Sequence, residues 1–129
     1  MKNLLSNRQR AMTKSKNDIF WQRLDELLAT SEIVIDRPKG SHHPRFTEIV
    51  YQIDYGYLDA TSSNDGEGLD VWLGSAPELG LTAVICTVDL DKRDAEMKLM
   101  VGCTPAEVKY IEDFYNTWPD MGGHIIHRE

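Results

Sequence analysis

Residues 51–71, YQIDYGYLDATSSNDGEGLDV, place five acidic side chains among glycine, serine and asparagine, with apolar residues at both ends. The acidic residues are Asp54, Asp59, Asp65, Glu67 and Asp70. Carboxylates this close together repel one another unless a cation lies among them, and a hard divalent ion with oxygen ligands is the usual solution. The stretch is therefore predicted to be a metal-binding loop, and a solvated acidic turn is the alternative.

The last part of this stretch, DGEGLD at residues 65–70, favours the metal-binding interpretation. Gly66 and Gly68 let the backbone turn sharply, so the carboxylates around them can converge on one point. The apolar residues 71–73 that follow predict a strand that begins at Asp70 and holds its carboxylate rigidly. An EF-hand fits less well, because no glutamate stands at the twelfth position of the loop.

The length and charge of the chain limit the class of protein. Its 129 residues predict a single domain over 15–129, preceded by a basic flexible arm over 1–14. The formal net charge of −7 argues against a nucleic-acid partner, because phosphate backbones bind to basic surfaces. No apolar run is long enough to span a bilayer and no signal-peptide core is present, so a cytoplasmic protein with no membrane partner is predicted. A small anionic substrate would have to bind together with metal ions.

The pattern of apolar residues predicts a mainly β fold with flanking helices. Helical spacing predicts a first helix from residue 15 or 17, and a capping box at 104–107 predicts a second helix that ends near Trp118. Strands are predicted at 33–35, 46–51, 71–73, 81–90 and 97–101. The last two strands form a predicted hairpin, and the last ten residues are interpreted as a tail. The predicted architecture is a small antiparallel barrel.

A second acidic cluster lies at the tip of the predicted hairpin. It contains Asp89, Asp91, Asp94 and Glu96, and the period of two in a strand places Lys98 on the same face as Glu96. A charged hairpin tip in water is the alternative interpretation. The functional hypothesis requires that this cluster and the one at 65–70 lie close enough together to share cations.

The histidines and cysteines leave alternatives open. His42 and His43 are either metal ligands or residues that face solvent or another subunit. Cys86 and Cys103 show no metal or redox spacing, so both are predicted to be reduced and to lie on strands, with a reactive thiol as the alternative.

Four segments, taken together, resemble the soluble Mg²⁺-dependent inorganic pyrophosphatases. They are IDRPKGS at 35–41, YQIDYGY at 51–57, DGEGLDV at 65–71 and DKRDAEMKL at 91–99, within a resemblance that covers residues 33–118. The family pattern D-x-D-P-x-D appears here as D-G-E-G-L-D, which departs from it at Glu67 and Gly68. The resemblance implies the OB-like inorganic pyrophosphatase fold and hydrolysis of pyrophosphate to two phosphates. It also implies Mg²⁺ as the cofactor, or Mn²⁺ in its place.

The resemblance implies a set of metal ligands. Asp65, Asp70, Asp91 and Glu96 would bind two metal ions, and Asp36 would lie near the outer one. Two metal ions about 3.5 to 4 Å apart lower the pKa of a shared water and neutralise the phosphoryl group under attack. Carboxylates suit this role because Mg²⁺ prefers oxygen ligands.

The resemblance also implies catalytic and phosphate-binding residues. Glu67 stands where the family places the carboxylate that assists the attacking water, and its extra methylene displaces that group by about 1 Å. Tyr55, Lys98 and Arg45 stand at phosphate-binding positions, with Arg45 in place of a lysine. Tyr51 matches a further tyrosine of the family pattern.

Three departures from the family pattern affect substrate binding. Thr47 replaces a glutamate, a hairpin that carries a phosphate-binding arginine is missing, and Trp118-Pro119 replaces a tyrosine–lysine pair. They imply slower hydrolysis, replacement of the lost cations by Lys39 or by another subunit, or a different substrate. The alternatives to a pyrophosphatase are a non-catalytic regulatory protein that binds phosphate or nucleotide and a hydrolase of a larger organic phosphate. Members of the family commonly associate, so a homo-oligomer is expected.

Overall fold

A computed structural model describes residues 16–63 and 66–129 of the chain. The helices are α1 (Lys16–Ala29) and α2 (Pro105–Asn116), and a short 3-10 helix covers Pro77–Leu79. The strands are β1 (Ile33–Arg37), β2 (Asp54–Leu58), β3 (Leu69–Leu73), β4 (Leu81–Asp89), β5 (Asp94–Val101) and β6 (Met121–His127). The predicted arm at 1–14 and the predicted ligand Asp65 lie outside the described residues.

The chain divides into two compact units, residues 1–30 and residues 31–129. The first unit contains α1, the helix that the apolar spacing predicts. At the end of α1 the Thr30 backbone N–H and hydroxyl both donate to the Glu26 carbonyl, at 3.1 Å and 2.8 Å. No helix among the described residues is both long and apolar enough to cross a membrane. The predicted domain boundary at residue 15 stays a prediction.

The second unit is built on a six-stranded sheet in the order β1-β2-β3-β5-β4-β6. Neighbouring strands are antiparallel except for β3 and β5, which are parallel. The mainly β prediction and the hairpin of β4 with β5 are confirmed. The sheet is mixed rather than wholly antiparallel, because the chain passes from β3 to β4 and then returns through β5 into the position beside β3.

The core cluster beneath α2 lies on one face of this sheet, and Val71 and Leu99 are fully buried on the opposite face. Trp72 of β3 pairs with Met100 of β5, which pairs with Ala83 of β4, and all three are fully buried. Residues that pair directly across strands lie on the same face, so these side chains form one apolar surface. Ile111 and Tyr115 of α2 cover it, and the Trp72 indole N–H donates to the Tyr115 hydroxyl at 3.2 Å.

The predicted capping box at the start of α2 is confirmed. The Thr104 hydroxyl accepts the Glu107 backbone N–H at 3.2 Å, and the Glu107 carboxylate accepts the Thr104 backbone N–H at 2.9 Å. The same carboxylate accepts the Ser75 backbone N–H at 3.1 Å. Glu107 therefore fixes the helix N-terminus to the loop that follows β3.

The predicted strand at 46–51 is wrong. This segment folds back on residues 40–43, because the His43 N–H donates to the Ile49 carbonyl at 2.8 Å and the Tyr51 N–H donates to the Ser41 carbonyl at 2.9 Å. The result is a closed loop, and the strand that pairs with β1 is β2, inside the stretch predicted to be a metal-binding loop.

The prediction of a C-terminal tail is also wrong, because residues 121–127 form β6 beside β4. The Asn116 side chain bonds both backbone groups of Gly123 at 3.0 Å, and a Cβ on Gly123 would lie 2.7 Å from Ile85 Cδ1. Glycine is rare in strands, so the local sequence, with its two glycines, does not indicate that β6 is a strand. The alternation of a strand places His124 and His127 on opposite faces of the sheet.

Candidate active site

The sheet face that holds the core becomes charged toward the other end of β3 and β5. Asp70 lies two residues before Trp72, and Lys98 lies two residues before Met100, so both charged side chains share the face of the core. The parallel pairing of Trp72 with Met100 brings them side by side, and Lys98 Nζ lies 2.6 Å from Asp70 Oδ2. The parallel strand pair therefore creates a buried ion pair.

Lys98 is only 5% exposed and is the central cation of the site. Its Nζ also donates to the Tyr55 hydroxyl at 3.2 Å and to Glu96 Oε1 at 3.4 Å. Burial lowers the pKa of Lys98, but the nearby Tyr115 and the two carboxylates raise it more, so the net shift is upward. Lys98 is therefore protonated at neutral pH and offsets part of the negative charge around it.

A cleft of about 930 Å³ opens at this charged end of the sheet. It is lined by eight of the nine residues that the sequence analysis selected as site residues. They are Asp36, Arg45, Tyr55, Glu67, Asp70, Asp91, Glu96 and Lys98. The ninth, Asp65, lies outside the described residues. Glu67 and Asp70 of the acidic loop and the acidic residues of the hairpin tip therefore line the same cleft, while the sharing of cations and the role of each residue stay predictions.

Arg37 reaches the cleft through an irregularity in the pairing of β1 with β2. Ile35 pairs with Gly56, and Arg37 pairs with Tyr55, so Asp36 is an extra residue in β1. Without this bulge, strand alternation would turn the Arg37 side chain to the face opposite Tyr55. Both Asp36 and Arg37 line the cleft as a result.

The Arg37 guanidinium is held by two tyrosines of the cleft. It lies 5.6 Å from the centre of the Tyr51 ring and 5.5 Å from that of Tyr55, and its Nη1 donates to the Tyr51 hydroxyl at 2.5 Å. The sequence analysis missed Arg37 and named Lys39 as a replacement cation. Lys39 does not line the cleft, and its backbone N–H donates to the Asp54 carboxylate at 2.7 Å. The alternation of apolar and polar residues along a strand does not reveal where a bulge will form, so the sequence pattern does not identify Arg37 as a cleft residue.

The hairpin tip turns its charged residues toward the cleft. The Asp89 carboxylate accepts the backbone N–H of Asp91 at 2.9 Å and of Lys92 at 3.0 Å. Arg93 has a φ of 59°, in the left-handed region, which closes the turn. Asp89, Asp91, Lys92 and Asp94 all line the cleft. The tip is therefore part of the cleft wall, although Asp91 and Lys92 are also exposed to water.

Negative charge dominates the cleft. Among the described residues, nine carboxylates and four basic side chains line it. A group with several negative charges is repelled from such a surface unless cations bind with it. The charge balance of the cleft therefore agrees with the expectation that an anionic substrate binds together with metal ions.

The cleft has the donor chemistry for a hard cation but no compact ligand cluster among its described residues. Carboxylate oxygens are the ligands that Mg²⁺ and Mn²⁺ prefer. Within residues 16–63 and 66–129, no group of three or more His, Cys, Asp or Glu side chains is arranged so that it could hold a metal ion. Lys98 binds Asp70 and Glu96, two of the predicted ligands. The donor types fit Mg²⁺, and binding of the metal stays a proposal.

The loop at 41–50 forms another part of the cleft lining. His43 Nδ1 accepts the backbone N–H groups of Arg45 and Phe46, each at 3.0 Å, and all three residues line the cleft. His42 does not line the cleft, and its Nδ1 lies 2.6 Å from a backbone carbonyl oxygen of the same loop. These contacts show that both histidines hold the loop together through Nδ1.

Comparison with solved structures identifies the architecture. An inorganic pyrophosphatase from Helicobacter pylori matches with a TM-score of 0.51 and 17% sequence identity, over 77% of this chain and 84% of that chain. This chain has the fold of an inorganic pyrophosphatase. An inorganic pyrophosphatase from Coxiella burnetii matches with a TM-score of 0.48 and 14% sequence identity, over 75% of this chain and 83% of that chain. An inorganic phosphatase from Anaplasma phagocytophilum matches with a TM-score of 0.46 and 14% sequence identity, over 74% of this chain and 81% of that chain. The sequence matches no family model and no curated protein.

The similarity to the Helicobacter pylori enzyme confirms the OB-like fold class. At 17% identity it concerns the fold and leaves the chemistry to the residues of the cleft. The activity of this chain must therefore be argued from its own side chains.

Proposed function

We propose that this protein is a metal-dependent hydrolase of a phosphoanhydride, with inorganic pyrophosphate as the simplest substrate. One observation carries the proposal: Glu67 and Asp70 of the acidic loop and the acidic residues of the hairpin tip line one cleft around a buried lysine. A cleft that combines carboxylates with fixed cations suits a phosphate group that binds with divalent ions.

The carboxylates of the cleft would hold the metal ions. Asp70, Asp91 and Glu96 are the proposed ligands, Asp36 would lie near the outer ion, and Asp65 remains a predicted ligand. When bound, Mg²⁺ would lower the pKa of a coordinated water and neutralise charge on the phosphoryl group. No covalent enzyme intermediate is needed for this reaction.

The remaining side chains of the cleft would move the proton and bind the phosphates. Glu67 would accept the proton of the attacking water. Lys98 and Arg37 would offset negative charge on the transferring and departing phosphates, and Arg45 would do so from the neighbouring loop. Burial raises the pKa of Tyr55 well above its usual value, so its hydroxyl keeps its proton; this proton is shared with Asp70, and a phosphate oxygen would take the place of that carboxylate as acceptor.

Phosphate release from pyrophosphate, measured with Mg²⁺ and with Mn²⁺, tests this proposal. The wild-type protein should release phosphate in a metal-dependent manner, and Asp70→Asn should reduce kcat by about 100-fold or more, because it removes a charge next to the reacting group. Asp59→Asn is the matched control, since Asp59 is exposed and does not line the cleft. Its activity should equal that of the wild type.

Two results would contradict the proposal. Full activity in Asp70→Asn would remove the assigned role of this carboxylate. Tight binding of pyrophosphate in calorimetry, without any phosphate release, would instead favour a non-catalytic regulatory protein on the same fold.

A further inference from the structure

The cleft is larger than two phosphates require, and part of its lining is apolar. Its volume of about 930 Å³ lies near the top of the range of roughly 300–1,000 Å³ for pockets that enclose drug-sized ligands. Beside its charged residues, the lining includes His43, Phe46, Ile49, Trp118 and Met121, which we call the apolar wall. Inorganic phosphates make no use of such a wall, so a larger substrate is indicated.

Phe46 is the most exposed aromatic side chain of the apolar wall. It is 46% exposed, although the His43 ring centre lies 5.3 Å from its own and the Arg45 guanidinium lies over the ring, 5.3 Å from its centre. The His43 ring stacks in turn on Tyr51, at 6.3 Å and with 13° between the planes. Exposure of a large apolar ring is unfavourable, and a planar group placed on it would remove apolar surface from water.

The loop that carries these rings is ordered by its own hydrogen bonds. The His43 N–H donates to the Ile49 carbonyl at 2.8 Å, and the Ile49 N–H donates to the Phe46 carbonyl at 2.9 Å. His43 Nδ1 accepts two further backbone N–H groups of the loop. A binding surface that is already formed costs less conformational entropy when a ligand binds.

The His43 ring presents an uncharged face. Burial, and then the positive charges of Arg37, Lys92 and Arg45, lower the pKa of this histidine. Because Nδ1 accepts hydrogen bonds, the single proton of the neutral ring lies on Nε2. At neutral pH the ring is therefore an uncharged aromatic group rather than a cation for phosphate.

We propose that the substrate is a nucleotide, whose base stacks on the Phe46 and His43 rings while its phosphoanhydride lies at the carboxylate-lined end of the cleft. This assignment rests on the proposed hydrolase and specifies its substrate class. Flat, uncharged rings favour a planar heteroaromatic group over a sugar, which would need hydrogen-bonding partners instead.

The proposed reaction with a nucleoside diphosphate uses only water as co-reactant. The water oxygen forms a bond to the terminal phosphorus, and the bond from that phosphorus to the bridging oxygen breaks. The bridging oxygen keeps the electron pair and leaves on the nucleoside monophosphate. One proton of the water passes to Glu67 and the other stays on the released phosphate, so the products are nucleoside monophosphate and phosphate.

The test compares Phe46→Ala with the wild type on two probes, adenosine diphosphate and pyrophosphate, each with Mg²⁺. Base stacking on an aromatic side chain predicts that the substitution lowers kcat/KM for adenosine diphosphate about tenfold more than for pyrophosphate. Phe46→Trp should restore the wild-type ratio. Leu79→Ala is the control, because Leu79 is 49% exposed but does not line the cleft, and it should leave the ratio unchanged.

The outcomes separate this inference from the proposed function. If the wild type hydrolyses pyrophosphate but neither hydrolyses nor binds adenosine diphosphate, the nucleotide assignment is wrong and the hydrolase stands. If neither compound is hydrolysed but calorimetry shows binding of adenosine diphosphate that Phe46→Ala weakens, the hydrolase is wrong and the nucleotide site stands. An equal effect of Phe46→Ala on both substrates would also overturn the nucleotide assignment.

Discussion

One face of the sheet carries two regions that differ in chemistry although they lie on the same strands. At one end Trp72 and Met100 are fully buried beneath α2. Two residues earlier on each strand, Asp70 and Lys98 form an ion pair at the cleft. A period of two therefore aligns an apolar region beneath α2 with a charged region that opens to the cleft and that α2 reaches through Tyr115, whose ring centre lies 5.8 Å from Lys98 Nζ. The comparison suggests that the apolar end supplies stability and the charged end supplies chemistry.

The first way to test this division is to remove the largest side chain of the apolar end. Trp72→Ala should lower the free energy of unfolding by about 3–5 kcal/mol, because Trp72 is 0% exposed and truncation leaves a cavity. Urea denaturation measures the loss. Trp118→Ala is the control, since this partly exposed tryptophan lines the cleft and should cost much less. Equal losses in the two variants would show that the apolar end has no special share in stability.

The second test removes the cation of the charged end. Lys98→Met should reduce kcat about 100-fold, because the buried ammonium offsets phosphate charge in the proposed reaction. Unfolding should also become easier by about 1–3 kcal/mol, since Asp70 and Glu96 lose their partner in a partly buried setting. Phosphate release and urea denaturation measure the two effects.

Lys109→Met is the matched control for this substitution. Lys109 also pairs with two carboxylates, Glu112 at 3.9 Å and Asp113 at 2.8 Å, but on the exposed surface of α2. Neither activity nor stability should change measurably in this variant. If Lys98→Met changed activity and stability as little as Lys109→Met, the charged end would not be the site of the reaction.

The third and smallest effect concerns Arg37, which joins the charged end only because β1 contains a bulge. Arg37→Lys keeps the charge but loses the planar group that lies against Tyr51 and Tyr55. We expect kcat/KM for pyrophosphate to fall about tenfold in phosphate-release assays. Lys39→Met should have no effect, because Lys39 does not line the cleft. The reverse result would restore Lys39 as the replacement cation.

Much of the site could be predicted because strand alternation is a local property. Glu96 and Lys98 lie two residues apart in one strand, so their shared face follows from the sequence. In the structure Lys98 Nζ lies 3.4 Å from Glu96 Oε1. The capping box at Thr104 likewise depends on four consecutive residues. The four acidic residues of the hairpin tip form a cluster that is visible in the sequence, two of them were predicted as metal ligands, and all four line the cleft.

The failures concern interactions between distant segments. Residues 46–51 have the composition of a strand, but Ile49 and Tyr51 make backbone hydrogen bonds with the preceding residues His43 and Ser41. β6 is stabilised by Asn116 and by the close approach of Gly123 to Ile85, which a glycine-rich pattern does not reveal. Arg37 lies in the cleft because β1 contains one extra residue where it pairs with β2.

The sequence by itself determined the mainly β class, the hairpin, the second helix and the identity of most charged residues of the cleft, because these follow from periods of two and from local capping. Only the tertiary structure decided that β3 and β5 run parallel, which sets Asp70 beside Lys98, and that a bulge turns Arg37 inward. Strand order and register depend on the free energy of packing the whole sheet beneath α2, and no short stretch of sequence contains that information.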